Sequence, residues 1–403
     1  MTILSQRIQL DPNNVQATFF ERCAGTSRKV FNIGLARWQE MYAAGEKTSW
    51  QAIKTEVNAR KKSDLAWLRE LPCSVTSRAL SDLGVAFTNF FRRVKSGGEK
   101  PGYPQFKAKK RVKPAFAVDS RTVRFTAGKV RVPKLGWVRM RQALRFPGRI
   151  LSARFSKHAG HWYISVNVEV DEAHWSYPHR CETQAIVGAD LGVRDLAVLS
   201  TGEKIEAPRV LRRYEIKQRM LNKELIRRKP GGKNWHKTKA KLGKLHERIS
   251  NIRKDVTHKL TADLVRRFRY IGIEDLNIRG MAANRRIAKS VMDAAMSEVS
   301  RQLLYKAPLA GSEVVQADRW YPSSKTCSAC GSIYADLVMG EERWVCQNCS
   351  TEHDRDINAA INLKNLAAAY AVTACRRRSS GDSEVRITKL PLGQESGSCV
   401  SLG

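Results

Sequence analysis

Two short apolar runs in this chain each end on a carboxylate: Ala185-Ile186-Val187-Gly188-Ala189 leads into Asp190, and Tyr270-Ile271-Gly272-Ile273 leads into Glu274. A run of that length with no polar break reads as a buried strand. A sheet delivers side chains into a site at its strand ends, so both acids are placed for chemistry. A third acidic segment, DRDIN around Asp356, follows later in the chain. Hydrolysis of a phosphodiester with two divalent ions needs carboxylates from separate segments, because oxygen ligands must hold two hard cations ~4 Å apart. Asp190, Glu274 and Asp356 are therefore the candidate catalytic residues and the candidate Mg2+ ligands, with Mn2+ as an alternative ion. In-line cleavage at such a pair of ions would leave a 3′-hydroxyl and a 5′-phosphate.

Between the second and third acids lie Cys327-x-x-Cys330 and, after fifteen residues, Cys346-x-x-Cys349. Four thiolates on two such turns fill a tetrahedral Zn2+ site and leave no open position, so the predicted role of zinc is structural. His353 lies near the last cysteine, but the four sulfurs already complete the site. Trp344 and the polar residues around the knuckles are candidates for touching nucleic acid. Cys23, Cys73, Cys181, Cys375 and Cys399 are scattered and odd in number, which fits reduced thiols.

Any one acid at a strand end is ordinarily a cap or a salt-bridge partner. Charge changes the weighing here. The chain has 72 Lys and Arg against 38 Asp and Glu, a formal charge of +34 over 403 residues. So large an excess repels itself unless a polyanion compensates it, and nucleic acid is the economical partner. No run approaches the ~20 apolar residues of a membrane span, and the start MTILSQRIQLDP does not read as a secretion signal. The expectation is a cytoplasmic protein with no membrane partner.

The predicted organisation is a multidomain α/β chain. An alternating strand, Ile3 to Leu10, is followed by the turn Asp11-Pro12-Asn13-Asn14, which caps a helix from Val15 to Tyr42. A second helix is read from Ser74 to Val94. Beyond the breaker Ser96-Gly97-Gly98 comes a basic loop, Lys100 to Arg111, whose Tyr103 and Phe106 are equally suited to stack on bases or to pack beneath the loop. Short strands at Thr122 to Phe125, Lys129 to Val132 and Val138 to Met140, and a hairpin of Leu151 to Phe155 with Trp162 to Val170, would close a small antiparallel barrel with the first strand. Residues 180–184 read as a linker. The assigned domains are 1–180, a barrel with helices at about 15–95; 184–370, the acid-bearing domain; 322–352, the cysteine-bearing insert; and 376–403, a disordered tail.

Within the second domain, Leu196 to Ser200 and Lys204 to Ile205 form a hairpin, and a long helical region spans about Val210 to Arg267 with a break near Pro230-Gly231-Gly232. Its cations, among them Arg212, Arg213, Lys217, Lys223, Arg227, Lys237, Lys241 and Lys244, suit a duplex backbone lying along the hairpin. Val291, Ala295, Val299 and Leu303, spaced by four, predict one further core-facing helix. Asp354 and Asp195 are reserve candidates for the acid site, the alternative roles being that Asp354 caps the helix that begins around Asp356 and that Asp195 shapes the turn between the first two strands. Arg355 is suited equally to phosphate or to a neighbouring acid.

Taken together, Gly188-Ala189-Asp190-Leu191-Gly192-Val193, Ile273-Glu274-Asp275-Leu276-Asn277, the run Tyr321-Pro322-Ser323-Ser324-Lys325-Thr326-Cys327-Ser328-Ala329-Cys330-Gly331 and the run Asp354-Arg355-Asp356-Ile357-Asn358-Ala359-Ala360-Ile361-Asn362 closely resemble the TnpB (OrfB) family. That family comprises insertion-sequence proteins, labelled transposases, that act as RNA-guided DNA endonucleases and are related to type V CRISPR effectors. The resemblance runs from near residue 3 to about 370. It implies a RuvC-like nuclease of RNase H fold with a zinc ribbon inserted before the third acidic motif, preceded by a small β-barrel interrupted by a helical recognition region. It implies catalysis by Asp190, Glu274 and Asp356, zinc on Cys327, Cys330, Cys346 and Cys349, and as partners a guide RNA from the mobile-element end and a double-stranded DNA target. The helix from Ser74 to Val94 and the loop Gly102 to Lys107 look like the region that reads a short motif beside the target. Two positions depart from the family: Ser350 stands where Gly is common, and Ser77 where Gln is frequent. The rival readings are a nuclease-inactive RNA-guided regulator, a transposase acting without RNA, and a CRISPR effector proper.

Overall fold

The computed structural model describes residues 2–97, 101–171, 177–178, 181–338 and 340–379. The chain divides into two compact units, Met1–Ser176 and Tyr177–Gly403.

In the first unit β1 (Thr2–Asp11) leads to α1 (Asn14–Ala43), α2 (Trp50–Arg60) and α3 (Cys73–Lys95). The Asn13 side chain accepts from the Gln16 amide at 2.9 Å while the Gln16 side chain accepts from the Asn13 amide at 3.1 Å, a capping box that fixes where α1 starts. Val30, Leu35 and Trp38 of α1 pack against Ala79, Leu83 and Phe87 of α3, and Trp38 stacks on Phe87 at 4.0 Å. The pattern gave no α2, which buries only Ile53 and Val57 and so carries too little apolar periodicity to be read.

Six further strands follow: β2 (Ala115–Val118), β3 (Arg124–Thr126), β4 (Lys129–Val132), β5 (Gly136–Met140), β6 (Arg149–His158) and β7 (His161–Val170). With β1 they form a seven-stranded sheet in the order β2-β6-β7-β1-β5-β4-β3. Alternation sets its inner face: Ile8 and Leu10, Phe116 and Val118, Val130 and Val132, and Ile164, Val166 and Val168 all enter one core. The expected closed barrel is not observed, because among the described residues no ladder joins β2 to β3. The sheet coils around its core and remains open at those two edges. Tyr103 meets Phe87 and Phe90 edge-on at 5.5 and 5.3 Å with its outer part still exposed, and Phe106 is exposed further.

The second unit begins earlier than expected. Tyr177 packs against its core, the Cys181 amide donates to the Ala310 carbonyl at 2.8 Å, and the Thr183 hydroxyl donates to the Arg267 carbonyl at 2.7 Å. Of the residues read as a linker, Cys181 and Thr183 are therefore tied down. Three antiparallel strands, β8 (Ile186–Asp190), β9 (Asp195–Leu199) and β10 (Lys204–Glu206), precede a helical hairpin of α4 (Val210–Arg227) and α5 (Lys233–Arg267). Next come β11 (Tyr270–Ile273), α6 (Ile278–Ala283), α7 (Ala288–Ala294), α8 (Met296–Ala310) and β12 (Glu313–Gln316), then β13 (Arg343–Val345), β14 (Glu352–Asp354) and α9 (Arg355–Ser379).

The five-stranded order is β10-β9-β8-β11-β12, with β11 parallel to both β8 and β12. All four residues of β11 are buried, because α5 and α8 cover one face of the sheet and α9 the other. The single helix expected through Val291 and Leu303 is two, since Ala295 adopts a left-handed φ of 58° that ends α7 and restarts the chain as α8. Residues 376–379 of the expected tail continue α9; residues 380–403 lie outside the described residues. No helix among the described residues is long and apolar enough to cross a membrane.

Candidate active site

Asp190 is the last residue of β8, and Glu274 follows directly on β11. The two strands are parallel and pair Gly272 with Gly188 and Ile273 with Ala189. One step further, Glu274 comes level with Asp190, and side chains level on parallel neighbours share a face.

That face is the one α9 crosses. A Cβ on Gly188 would lie 1.9 Å from the Ala360 carbonyl oxygen, and one on Gly272 would lie 2.2 Å from that of Leu363. Only hydrogen at both positions lets the helix backbone settle on the strands. Ala360 and Leu363 belong to the second and third turns of α9, so its first turn, with Asp356, reaches the strand ends where Asp190 and Glu274 stand. Asp354 receives the amides of Asp356 and Ile357 at 3.2 and 3.1 Å, capping the helix as expected, and takes Lys204 Nζ at 2.8 Å.

Electrostatics record the same convergence. Burial pushes the Asp190 carboxyl well above the usual range, and the charges of Glu274 and Asp356 push it further. Glu274 is raised by burial, against the opposing pull of Ser323 and Arg355. Asp356 is raised by burial and by Asp354, and its field includes Asp195 at the start of β9. Arg355 lies beside all three acids and favours their charged forms without offsetting the burial. Three such carboxylates are stable together when a hard cation neutralises them.

Sequence reasoning missed the residues that fix this arrangement. The Ser323 hydroxyl donates to Glu274 Oε1. Asn358 Nδ2 donates to the Thr326 carbonyl at 2.7 Å, Asn362 Nδ2 donates to the Ser323 carbonyl at 2.8 Å, and Asn358 Oδ1 accepts from the Ser328 amide at 2.9 Å. Both asparagines are buried on α9, so the helix that carries Asp356 also clamps the segment that carries Ser323. The signals were in the motifs: a glycine two residues before Asp190 and before Glu274, and asparagines two and six residues after Asp356.

The four cysteines meet at one point. Sulfurs ~2.3 Å from a tetrahedral ion stand about 3.8 Å from one another; Cys327 and Cys349 Sγ are 3.6 Å apart, and Cys330 and Cys346 Sγ 3.7 Å. Among the described residues this is the one such group gathered tightly enough to cage a metal ion. The knuckles are alike: the amides of Gly331 and Ser350 each donate to the first cysteine's carbonyl at 2.8 Å, with φ of 78° and 59°. His353 is not a fifth ligand by position. Its Nε2 lies 3.0 Å from Cys327 Sγ and its ring sits 4.7 Å from that of Trp344. Trp344 is buried and stacks on Tyr334, so it builds the small core beside the cysteines and is not a surface for nucleic acid. Cys23, Cys73 and Cys181 are free thiols; Cys399 and the side chain of Cys375 lie outside the described residues.

On α4 and α5 some cations are internally paired, as Arg219 is with Glu215 and Arg228 with Glu224. Arg212, Arg213, Lys217, Lys223 and Arg227 have no ion-pair partner among the described residues.

Family models match three stretches: OrfB_IS605, described as a probable transposase, over residues 163–285; a Cas12f1-like TNB domain over 297–363; and the helix-turn-helix domain HTH_OrfB_IS605 over 1–47. A Streptomyces pristinaespiralis protein named "Putative RNA-guided DNA endonuclease" is 32% identical over 372 residues, covering 90% of this chain and 89% of its own. InsQ of Escherichia coli (strain K12), which carries the same description, is 31% identical over 393 residues, covering 92% of this chain and 93% of its own. The CRISPR-associated endodeoxyribonuclease Cas12f1 of Sulfoacidibacillus thermotolerans is 28% identical over 139 residues, 33% of this chain and 32% of its own.

Proposed function

This chain belongs to the TnpB (OrfB) family, and from that premise we propose that it is an RNA-guided, Mg2+-dependent DNA endonuclease of a mobile element. The observation that carries the reading is the convergence of three partly buried carboxylates, Asp190, Glu274 and Asp356, from two adjacent strand ends and one helix start, where burial raises each and the charges of Glu274 and Asp356 raise Asp190 further. The sheet order, three antiparallel strands followed by two parallel ones, supports an RNase H-like, RuvC-type assignment for the second unit.

Asp190, Glu274 and Asp356 would hold the divalent ions. When bound, Mg2+ supplies charge stabilisation to the attacking water and to the departing oxygen of an in-line displacement. The rest is the work of side chains. Ser323 holds the Glu274 carboxylate in one orientation, Asp354 fixes the first turn of α9 so that Asp356 faces the strand ends, and Arg355 opposes part of the rise that burial imposes on the acids. The amino end of α9 adds a positive dipole where a phosphodiester would approach. The cysteines would hold a structural Zn2+, with His353 donating to Cys327 and so fixing that ligand.

Specificity would come from base pairing of a guide RNA with one strand of a duplex DNA target, the protein contributing backbone contacts and the reading of a short flanking motif. The unpaired cations of α4 and the charge of +34 support polyanionic partners. The test is to express the gene with its native flanking DNA, purify the protein at high salt and sequence the retained RNA. One discrete RNA whose 3′ end copies flanking DNA, followed by Mg2+-dependent cutting of the matching duplex that Asp190→Ala abolishes, is the expected result. Heterogeneous nucleic acid and undiminished cutting by the variant would overturn the reading.

A further inference from the structure

An exposed apolar side chain is ordinary by itself. What sets Trp320 apart is how the chain holds it. It is 77% exposed, and it sits on the turn that leads from β12 to Ser323. Asp318 builds that turn: its carboxylate accepts from the Trp320 amide at 2.9 Å, and its carbonyl accepts from the Tyr321 amide at 3.0 Å. On one side of Trp320, the Arg319 guanidinium donates to Asp275, the residue after Glu274, at 3.3 Å. On the other side, Ser323 donates to Glu274 itself, and the Ser323 amide donates to the Tyr321 carbonyl at 2.9 Å. The indole is thus bracketed by contacts to Glu274-Asp275 and presented to solvent beside the acids. Ile216 and Ile226, with exposures of 73% and 83%, lie on helix faces with no such attachment to the site.

We propose that Trp320 is the stacking platform for an unpaired nucleobase of the strand presented to Asp190, Glu274 and Asp356. The proposal rests on the nuclease reading and deepens it. A phosphodiester gripped only through its phosphate can still swing about the backbone. Stacking the adjacent base on a fixed aromatic plane restrains it, and alignment of the reacting atoms is a large part of what a site supplies. Every base has a π face, so such a platform accepts any sequence, as a guided nuclease requires. Stacking needs a base free of its partner, so the ligand class is single-stranded nucleic acid.

The experiment uses the full chain with Mg2+ omitted, at raised salt to suppress contacts made through phosphate alone. The probes are a fluorescent oligothymidylate and an oligonucleotide of equal length made of abasic sites. Trp320→Ala is expected to weaken oligothymidylate binding about 5- to 100-fold, the range of one lost base–aromatic stack. Trp320→Phe is expected to retain most of the affinity, and all three proteins to bind the abasic probe alike. A 5-iodouracil version of the probe is expected to photocrosslink to residue 320. Equal oligothymidylate affinities for wild type and Trp320→Ala, or an Ala effect that persists on the abasic probe, would overturn the proposal. Mg2+-dependent cutting, and its loss in Asp190→Ala, are scored separately. Base-dependent binding without cutting sinks the nuclease reading and leaves the platform, whereas cutting with no contribution from Trp320 does the reverse.

Discussion

Gly188 and Gly272 are register partners on adjacent parallel strands, and the backbone of α9 crosses both. Each stands two residues before an acid, so the contact that seats the helix also sets the distance between Asp356 and the strand ends. Gly272→Ala would drive a methyl into the Leu363 carbonyl, against backbone that has no rotamer to yield. The expected cost is about 3 kcal/mol or more, seen as a lower unfolding midpoint, with cleavage lost beyond what the stability change explains. An alanine variant with wild-type melting and cutting would show that α9 does not sit as described.

Asp190→Asn separates stability from activity. A carboxylate whose folded-state pKa is raised destabilises the fold as pH climbs from the unfolded value, ~3.9, towards the raised one, because the native state holds its proton longer. Without divalent ions, the asparagine variant is therefore expected to melt above wild type near neutral pH, with the gap closing as pH falls below about 4. Mg2+ is expected to raise the wild-type midpoint more than the variant's, and cutting to drop by about three orders of magnitude. Thermal melts across pH, with and without Mg2+, check the signs.

Much of the site was legible because its signals are local. An apolar run ended by an acid, a CxxC pair and a helix-opening acid each announce themselves within a few residues. The second-unit sheet followed for the same reason: strands covered on both faces carry uninterrupted apolar runs, as Tyr270–Ile273 does. What escaped depends on contacts across long stretches of sequence. Ser323 reaches back to Glu274, and Asn358 and Asn362 reach back to Ser323 and Thr326, pairings that no periodicity encodes. The break at Ala295 escaped because alanine is a strong helix former and nothing local announces its left-handed turn. The edges of the first sheet stayed open because closure depends on ladder geometry, which alternation does not specify.

Ser323→Ala removes the hydroxyl that orients Glu274 and leaves that acid buried with one fewer donor. With Glu274 holding Mg2+ as proposed, Ser323 is an outer partner of a metal ligand, whose loss ordinarily costs 10- to 100-fold. The expected outcome is a cleavage rate about tenfold lower at saturating Mg2+, and a higher Mg2+ concentration for half-maximal cutting, with the melting curve little changed. Unaltered Mg2+ dependence would remove Ser323 from the site.

Lys306 is buried between α5 and α8, where its ammonium donates to Thr261 Oγ1 at 2.7 Å and to the His258 carbonyl at 3.0 Å. Burial pulls it down to about 8, with Glu298 opposing. A base with a lowered folded-state pKa penalises the fold below that value, and the penalty is relieved as pH rises from about 8 towards its usual 10.5. Lys306→Met is therefore expected to be neutral or stabilising at pH 7 and to lose its advantage by pH 10. Urea unfolding at both values decides it, and a loss of stability at pH 7 would mean that the two hydrogen bonds outweigh desolvation.

Ser350 holds a φ of 59° at the position where the matching knuckle has Gly331 at 78°. A side chain in the left-handed region costs about 1 kcal/mol, which glycine avoids. Ser350 makes the same amide bond to Cys346 that Gly331 makes to Cys327, so the knuckle already has the required shape and carries only the strain. Ser350→Gly is accordingly expected to tighten metal binding by the ribbon up to about fivefold, since glycine's greater freedom in the unfolded chain offsets part of the gain. Competition against a chromogenic zinc chelator measures it, with Cys346→Ser as the variant that should release the metal outright. Weaker binding by the glycine variant would mean that the serine side chain contributes more to the knuckle than its backbone angle costs.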